Sequence, residues 1–146
     1  MDISGMLPII KQIPLFEALN EAQHEEIIKN ITMNYYPVGH VFFQEGQTID
    51  ENACMYILKN GMVRISRKQP IGDDKEVAVL SNGGFFGEMA FVFEEPRNAT
   101  ATALGECEVF ELKKQVFMKL MENAPETAAK ISQEFIDRVK QNNQAS

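Results

Sequence analysis

From Met33 to Lys113 the chain is a succession of short β-branched and aromatic runs, each ended by Gly, Pro, Asn or Asp, with helix-period segments only before and after it. Strands this short, broken this regularly, build a sandwich or barrel. Because the helical signals are segregated to the two ends and do not alternate with the strands, the sheet is expected to be antiparallel and the fold class α+β, mainly β. The predicted strands are Met33–Tyr36, Val41–Gln44, Ala53–Lys59, Met62–Arg67, Glu76–Leu80, Thr100–Leu104 and Cys107–Leu112. Asn60-Gly61 is expected to supply the two positive φ values of a type I′ turn, which makes Ala53–Arg67 one hairpin. Pro70–Asp74 reads as a longer, exposed, acidic hairpin loop.

Before the strands, Asn20 can cap a helix over Asn20–Ile31, with Gln23 at the third helical position and Ile27, Ile28 and Ile31 along one face. Pro14, Leu15 and Phe16 read as a turn that tucks apolar side chains inward. After the strands, Val116, Phe117, Leu120 and Met121 form a helical stripe, and Pro125 suits the first turn of a last helix reaching Gln141, with Ala128, Ile131, Phe135 and Val139 on its apolar side. A chain of 146 residues, 45% hydrophobic and 24% charged, is expected to form one domain over 1–146.

Charge and residue counts narrow the function. A formal net charge of −7 has the wrong sign for neutralising nucleic-acid phosphates. No run approaches the ~20 apolar residues of a membrane helix, and Met1–Gly5 lacks the order of a secretory signal, so a cytoplasmic protein without membrane or nucleic-acid partners is expected. Cys54 and Cys107 lie in strand-like runs and read as reduced core thiols, with a disulfide as the alternative. His24 and His40 read as surface or strand residues and supply no metal cluster, and no nucleophile–base pair can be argued, so neither catalysis nor a cofactor is expected. Met89, Met118 and Met121 read as adaptable core filler, and Tyr35 and Tyr36 as packing residues.

One segment, 81–99, breaks the strand rhythm. Gly83, Gly84 and Gly87 give a permissive backbone, and Glu88-Met89-Ala90 favours a short helix ended by Pro96. The free N–H groups opening such a helix suit an anion. Glu88 could accept a hydrogen bond from a sugar hydroxyl, and Arg97 could hold a phosphate with charge-assisted hydrogen bonds. Taken singly, each has a plainer explanation: Glu88 favours the helix dipole, and Arg97 makes a surface ion pair worth about 0–1 kcal/mol.

The ordered strings Phe86-Gly87-Glu88-Met89-Ala90 and Pro96-Arg97-Asn98-Ala99-Thr100 resemble the phosphate-binding cassette of the cyclic nucleotide-binding domain family. The resemblance runs from about Pro14 to Arg138. It implies a helix and antiparallel β jelly-roll over 14–113, with the cassette at 83–100, flanked by an N-terminal helix and by closing helices over 114–141. It further implies that Gly87, Glu88, Met89 and Ala90 present backbone amides, that the Glu88 carboxylate takes the ribose 2′-hydroxyl, and that Arg97 takes the cyclic phosphate, with Phe86, Asn98 and Ala99 completing the ligand-binding set. Asn98 stands where family members that bind cAMP often have Ala and those that also bind cGMP have Thr or Ser, which leaves the base preference open.

A lid over the base is implied from the last helix, with Phe135 and Arg138 as candidates. The stripe places Phe135 in the core, whereas the Arg138 guanidinium can stack on a purine. The expected function is a cAMP or cGMP sensor whose ligand moves the closing helices. Its effector would be an unidentified protein or domain, with homodimerisation left open. A helix-turn-helix is not expected after Gln141. The alternative is a degenerate jelly-roll that serves as an interaction module and no longer binds nucleotide.

Overall fold

The predicted strand runs form, and the Asn60-Gly61 turn between two of them does not act as the sequence predicts. The computed structural model describes residues 6–13, 16–50, 52–91, 95–131 and 133. The described residues of 31–114 form a β unit, and those of 1–30 and 115–146 a helical unit.

The β unit contains β1 (Thr32–Tyr36), β2 (Val41–Phe43), β3 (Cys54–Asn60), β4 (Val63–Arg67), β5 (Lys75–Leu80), β6 (Phe85–Phe86), β7 (Thr100–Ala103) and β8 (Cys107–Lys113). One sheet has the order β1-β8-β3-β6 and the other β2-β7-β4-β5, and every pairing is antiparallel. This is the expected jelly-roll, and all seven predicted strands are present, with ends displaced by at most one residue. Phe42, Phe43 and Phe86 pack with Leu58, Val63 and Val109 in its core. Ala101 and Ala103, fully buried on β7, leave room for those rings. Burying one such phenylalanine contributes roughly 1.5–3 kcal/mol.

The Asn60-Gly61 hairpin is not formed. β3 pairs with β8 and β6, and β4 with β5 and β7, so the two strands lie in different sheets. Among the described residues only glycines have positive φ, so Asn60 does not occupy a type I′ position. Gly61 instead turns a corner between sheets. Its N–H donates to Asn82 Oδ1 at 3.0 Å, and a Cβ there would stand 2.7 Å from the Glu106 carbonyl oxygen. The exposed 70–74 loop does join the paired β4 and β5. β6 escapes sequence reading because two residues show no period.

The helical unit contains α1 (Met6–Gln12), α2 (Glu21–Lys29), α3 (Lys114–Glu122) and a fourth helix described over 125–131. Sequence reasoning misses α1, although Pro8 lies in its first turn, where backbone N–H groups have no helical partner. The capping box of α2 forms as expected: Gln23 N–H donates to Asn20 Oδ1 at 2.8 Å and Asn20 N–H to Gln23 Oε1 at 2.9 Å. The helix stops at Lys29, short of Ile31.

Several side chains depart from expectation. His24 is buried on α2, where its Nε2 donates to the Phe16 carbonyl at 2.8 Å. His40 precedes β2 and stacks on Tyr36 at 4.2 Å. Tyr35 is 67% exposed because the strand period turns it outward, and Met118 is exposed on the outer side of α3. Cys54 and Cys107 are free thiols. Phe117, Met121 and Ile131 are buried as predicted. Pro14, Leu15, Phe135, Arg138 and Val139 lie outside the described residues.

Candidate functional site

At the end of β6, Gly87 takes φ +83° and the chain enters a short 3-10 turn, Glu88–Phe91. A side chain at Gly87 would crowd three groups at once: its Cβ would lie 3.1 Å from Arg97 Nη1, 3.1 Å from the Cys54 carbonyl and 3.2 Å from Phe43 Cε2. The glycine is there so that main chain can approach a guanidinium.

Arg97 is 8% exposed. Its Nη1 donates to the Gly87 carbonyl and its Nη2 to the Cys54 carbonyl, each at 3.1 Å. Its guanidinium carbon stands 4.1 Å from the centre of the Phe43 ring. The ion pairs among the described residues are Lys59–Glu108 and Arg64–Glu76, so no described carboxylate lies within ion-pair distance of Arg97. Burial pushes its pKa below the ordinary arginine value, opposed by the nearby Tyr56, Cys54 and Glu88. A guanidinium nonetheless stays protonated in proteins. A buried cation that is hydrogen-bonded but has no described carboxylate within ion-pair distance is costly by itself and suits an incoming anion.

Glu88 opens the 3-10 turn and is partly buried. Burial pushes its carboxyl above the usual range, against a hydrogen bond to its own backbone and the attraction of Arg97. Tyr56 stacks on Phe86 with ring centres 5.0 Å apart, and burial pushes its phenol well above the ordinary range, so it is neutral. Asn98 is exposed, with its Nδ2 3.9 Å from Met89 Sδ.

The sequence candidates from Phe86 to Ala90 and from Arg97 to Ala99 all line one cavity of about 250 Å³. The lid candidates Phe135 and Arg138 lie outside the described residues. Sequence reasoning missed the apolar wall of the cavity, made by Phe43, Ile49, Ile65, Leu80 and Phe85. In the sequence each is an ordinary strand or loop hydrophobe, and only the sheet pairing gathers them. The lining thus combines a cation with an apolar surface, an arrangement that can hold an anionic group attached to a flat, weakly polar one. Among the described residues, no group of three His, Cys, Asp or Glu side chains is placed to hold a metal, and no helix is long and apolar enough to cross a membrane.

The family model of the cyclic nucleotide-binding domain matches residues 33–124. The chain is 37% identical over 94 residues to a cGMP-dependent protein kinase of Eimeria tenella, spanning 64% of this chain and 9% of the kinase. It is 30% identical over 130 residues to a cyclic nucleotide-gated potassium channel of Rhizobium etli, spanning 89% of this chain and 34% of the channel. Among solved structures, the regulatory domain of Toxoplasma gondii PKA with cAMP superposes with a TM-score of 0.73 at 26% identity, over 85% of this chain and 48% of that one. The chain therefore spans a minor part of each of these relatives.

Proposed function

Because the chain belongs to the cyclic nucleotide-binding domain family, we propose that it acts as a single sensor domain for a cyclic mononucleotide, cAMP or cGMP, in the cavity formed by residues 86–90 and 97–99. In this reading Arg97 takes the cyclic phosphate, the amides of Gly87–Ala90 support it, and the Glu88 carboxylate accepts the ribose 2′-hydroxyl. The base lies toward Ile65 and Leu80. The observation that carries the proposal is Arg97, a buried guanidinium held by two carbonyls over an aromatic ring with no described carboxylate in contact. A phosphate supplies the missing charge and takes planar, charge-assisted hydrogen bonds.

Asn98 is exposed beside the cavity and has both a donor and an acceptor to offer a base edge. We therefore propose that both cAMP and cGMP bind. A sensor also needs two states for which the ligand has different affinity. We assign that change to the helices after Lys113, with Phe135 and Arg138 as lid residues on the strength of the family resemblance, and the effector to another protein or another part of a longer one.

Calorimetric titration of the chain with cAMP and cGMP, side by side, tests the reading. Both should bind at a one-to-one ratio, and Arg97→Ala should weaken binding by roughly 2–5 kcal/mol, since it leaves a buried phosphate unpaired. Equal affinity in wild type and Arg97→Ala would refute the assignment of the phosphate site.

A further inference from the structure

Arg97 lies before β7 begins, so no strand ladder fixes its main chain, and what does fix it is the turn that follows β2, the strand paired with β7. After β2 the chain reverses over Gln44–Gln47. Gln47 N–H donates to the Gln44 carbonyl at 3.0 Å, and Gly46, with φ +87°, takes the left-handed position of a type II turn. The Gln47 side chain closes the turn from the opposite side, its Oε1 accepting from Gln44 N–H at 3.1 Å. This turn holds Arg97 through both of its main-chain polar groups: Gly46 N–H donates to the Arg97 carbonyl at 2.7 Å, and Arg97 N–H donates to the Gln47 carbonyl at 2.9 Å.

The turn is anchored in turn by Glu45 at its apex. Glu45 N–H donates to Thr100 Oγ1 at 2.9 Å, three residues beyond Arg97. The Glu45 carboxylate accepts from Lys68 N–H at 2.8 Å, the first amide past β4. A carboxylate acceptor makes this bond stronger than a neutral one would be. One half-buried residue thus joins three segments: its main-chain N–H links the turn holding Arg97 to the start of β7, and its carboxylate links that turn to the end of β4.

We propose that Glu45 is a positioning residue for Arg97. It touches no ligand, and through the turn it sets the direction in which the guanidinium faces the cavity. This inference rests on the cyclic nucleotide reading above. Phosphate recognition by a planar fork is sensitive to direction in a way that attraction by a point charge is not, so the effect of Glu45 should depend on the arginine itself.

The experiment is a double-mutant cycle read by cAMP titration, with thermal unfolding of each free protein as the second measurement. Glu45→Ala should weaken cAMP binding by about 3–10-fold, the range expected for losing one charge-assisted hydrogen bond that orients another group. Glu45→Gln, which keeps an acceptor oxygen, should recover most of that loss. In an Arg97→Lys background the Glu45→Ala effect should shrink to less than about twofold, because the compact ammonium has no fork to aim. Should Glu45→Ala fail to fold, Thr100→Val removes the second anchor of the same turn and should show the same dependence on Arg97.

Wild-type affinity in Glu45→Ala alongside a defect in Arg97→Ala overturns the role of Glu45 and leaves the phosphate assignment standing. So does the same fold-loss in the Arg97 and Arg97→Lys backgrounds, which marks a merely structural contact. Absence of cAMP and cGMP binding by the wild-type chain overturns both proposals.

Discussion

Replacing Gly87 by alanine isolates the close approach between main chain and guanidinium on which the site depends, provided it is compared with Gly83→Ala. The two glycines have nearly the same φ, +83° and +88°, so each alanine incurs a similar left-handed penalty of roughly 1–2 kcal/mol. They differ in what a Cβ would meet. At Gly83 nothing lies within 4 Å, whereas at Gly87 three groups lie at 3.1–3.2 Å. Of these, the Cys54 carbonyl is part of β3 and the Phe43 ring is packed against Tyr56 and Phe86. The side-chain end of Arg97 is the group most able to yield, and its hydrogen bond to the Gly87 carbonyl would be the one disturbed. Overpacking of this kind adds roughly 1–3 kcal/mol. Urea unfolding of the free protein should therefore show losses of about 1–2 kcal/mol for Gly83→Ala and about 2–5 kcal/mol for Gly87→Ala. Titration with cAMP should show at least a tenfold loss for Gly87→Ala, about 1.4 kcal/mol, and little change for Gly83→Ala. Equal cAMP affinities in the two variants would refute the argument that Gly87 exists to admit Arg97.

Glu88→Gln should lower cAMP affinity and reduce the preference for cAMP over 2′-deoxy-cAMP, measured by parallel titrations, because an amide oxygen accepts more weakly than a carboxylate. Equal binding of the two nucleotides by the wild type would remove Glu88 from the ribose. The same substitution should raise the melting temperature of the free protein at neutral pH. Burial holds the Glu88 carboxyl above its ordinary value of 4.5, so the folded state binds the proton more tightly than the unfolded one. This contribution favours the fold at low pH and is lost as pH rises from about the unfolded value through the folded one. Melting curves at a series of pH values should show that loss in wild type and not in Glu88→Gln. Finally, saturating cAMP should slow amide exchange in residues 131–139 as well as 87–90, and truncation before Pro125 should leave the jelly-roll folded while weakening binding. Ligand-independent exchange at 131–139 together with wild-type affinity in the truncated protein would rule out the closing helices as the responding element.

The strands, the α2 cap and the two strings that line the cavity could be read from the sequence because each depends on residues close along the chain. The capping box needs only Asn20 and Gln23, and each strand needs only its alternation and a breaker at its end. Each of the two strings is contiguous. Strand pairing is different in kind. Asn60-Gly61 has the local chemistry of a hairpin, yet β3 gains more by lying between β8 and β6 and β4 by lying between β7 and β5, so tertiary pairing overrides the turn preference. The environment of Arg97 was equally out of reach. The sequence by itself determined that a guanidinium follows a glycine-rich turn at a set distance. Only the tertiary structure decided that it is buried, that its partners are the carbonyls of Gly87 and Cys54, and that a turn at 44–47 holds its main chain. Cys54 lies 43 residues from Arg97. The desolvation of a charge depends on every group packed around it, and most of those groups are brought there by the closure of long loops, which leaves no local pattern to read.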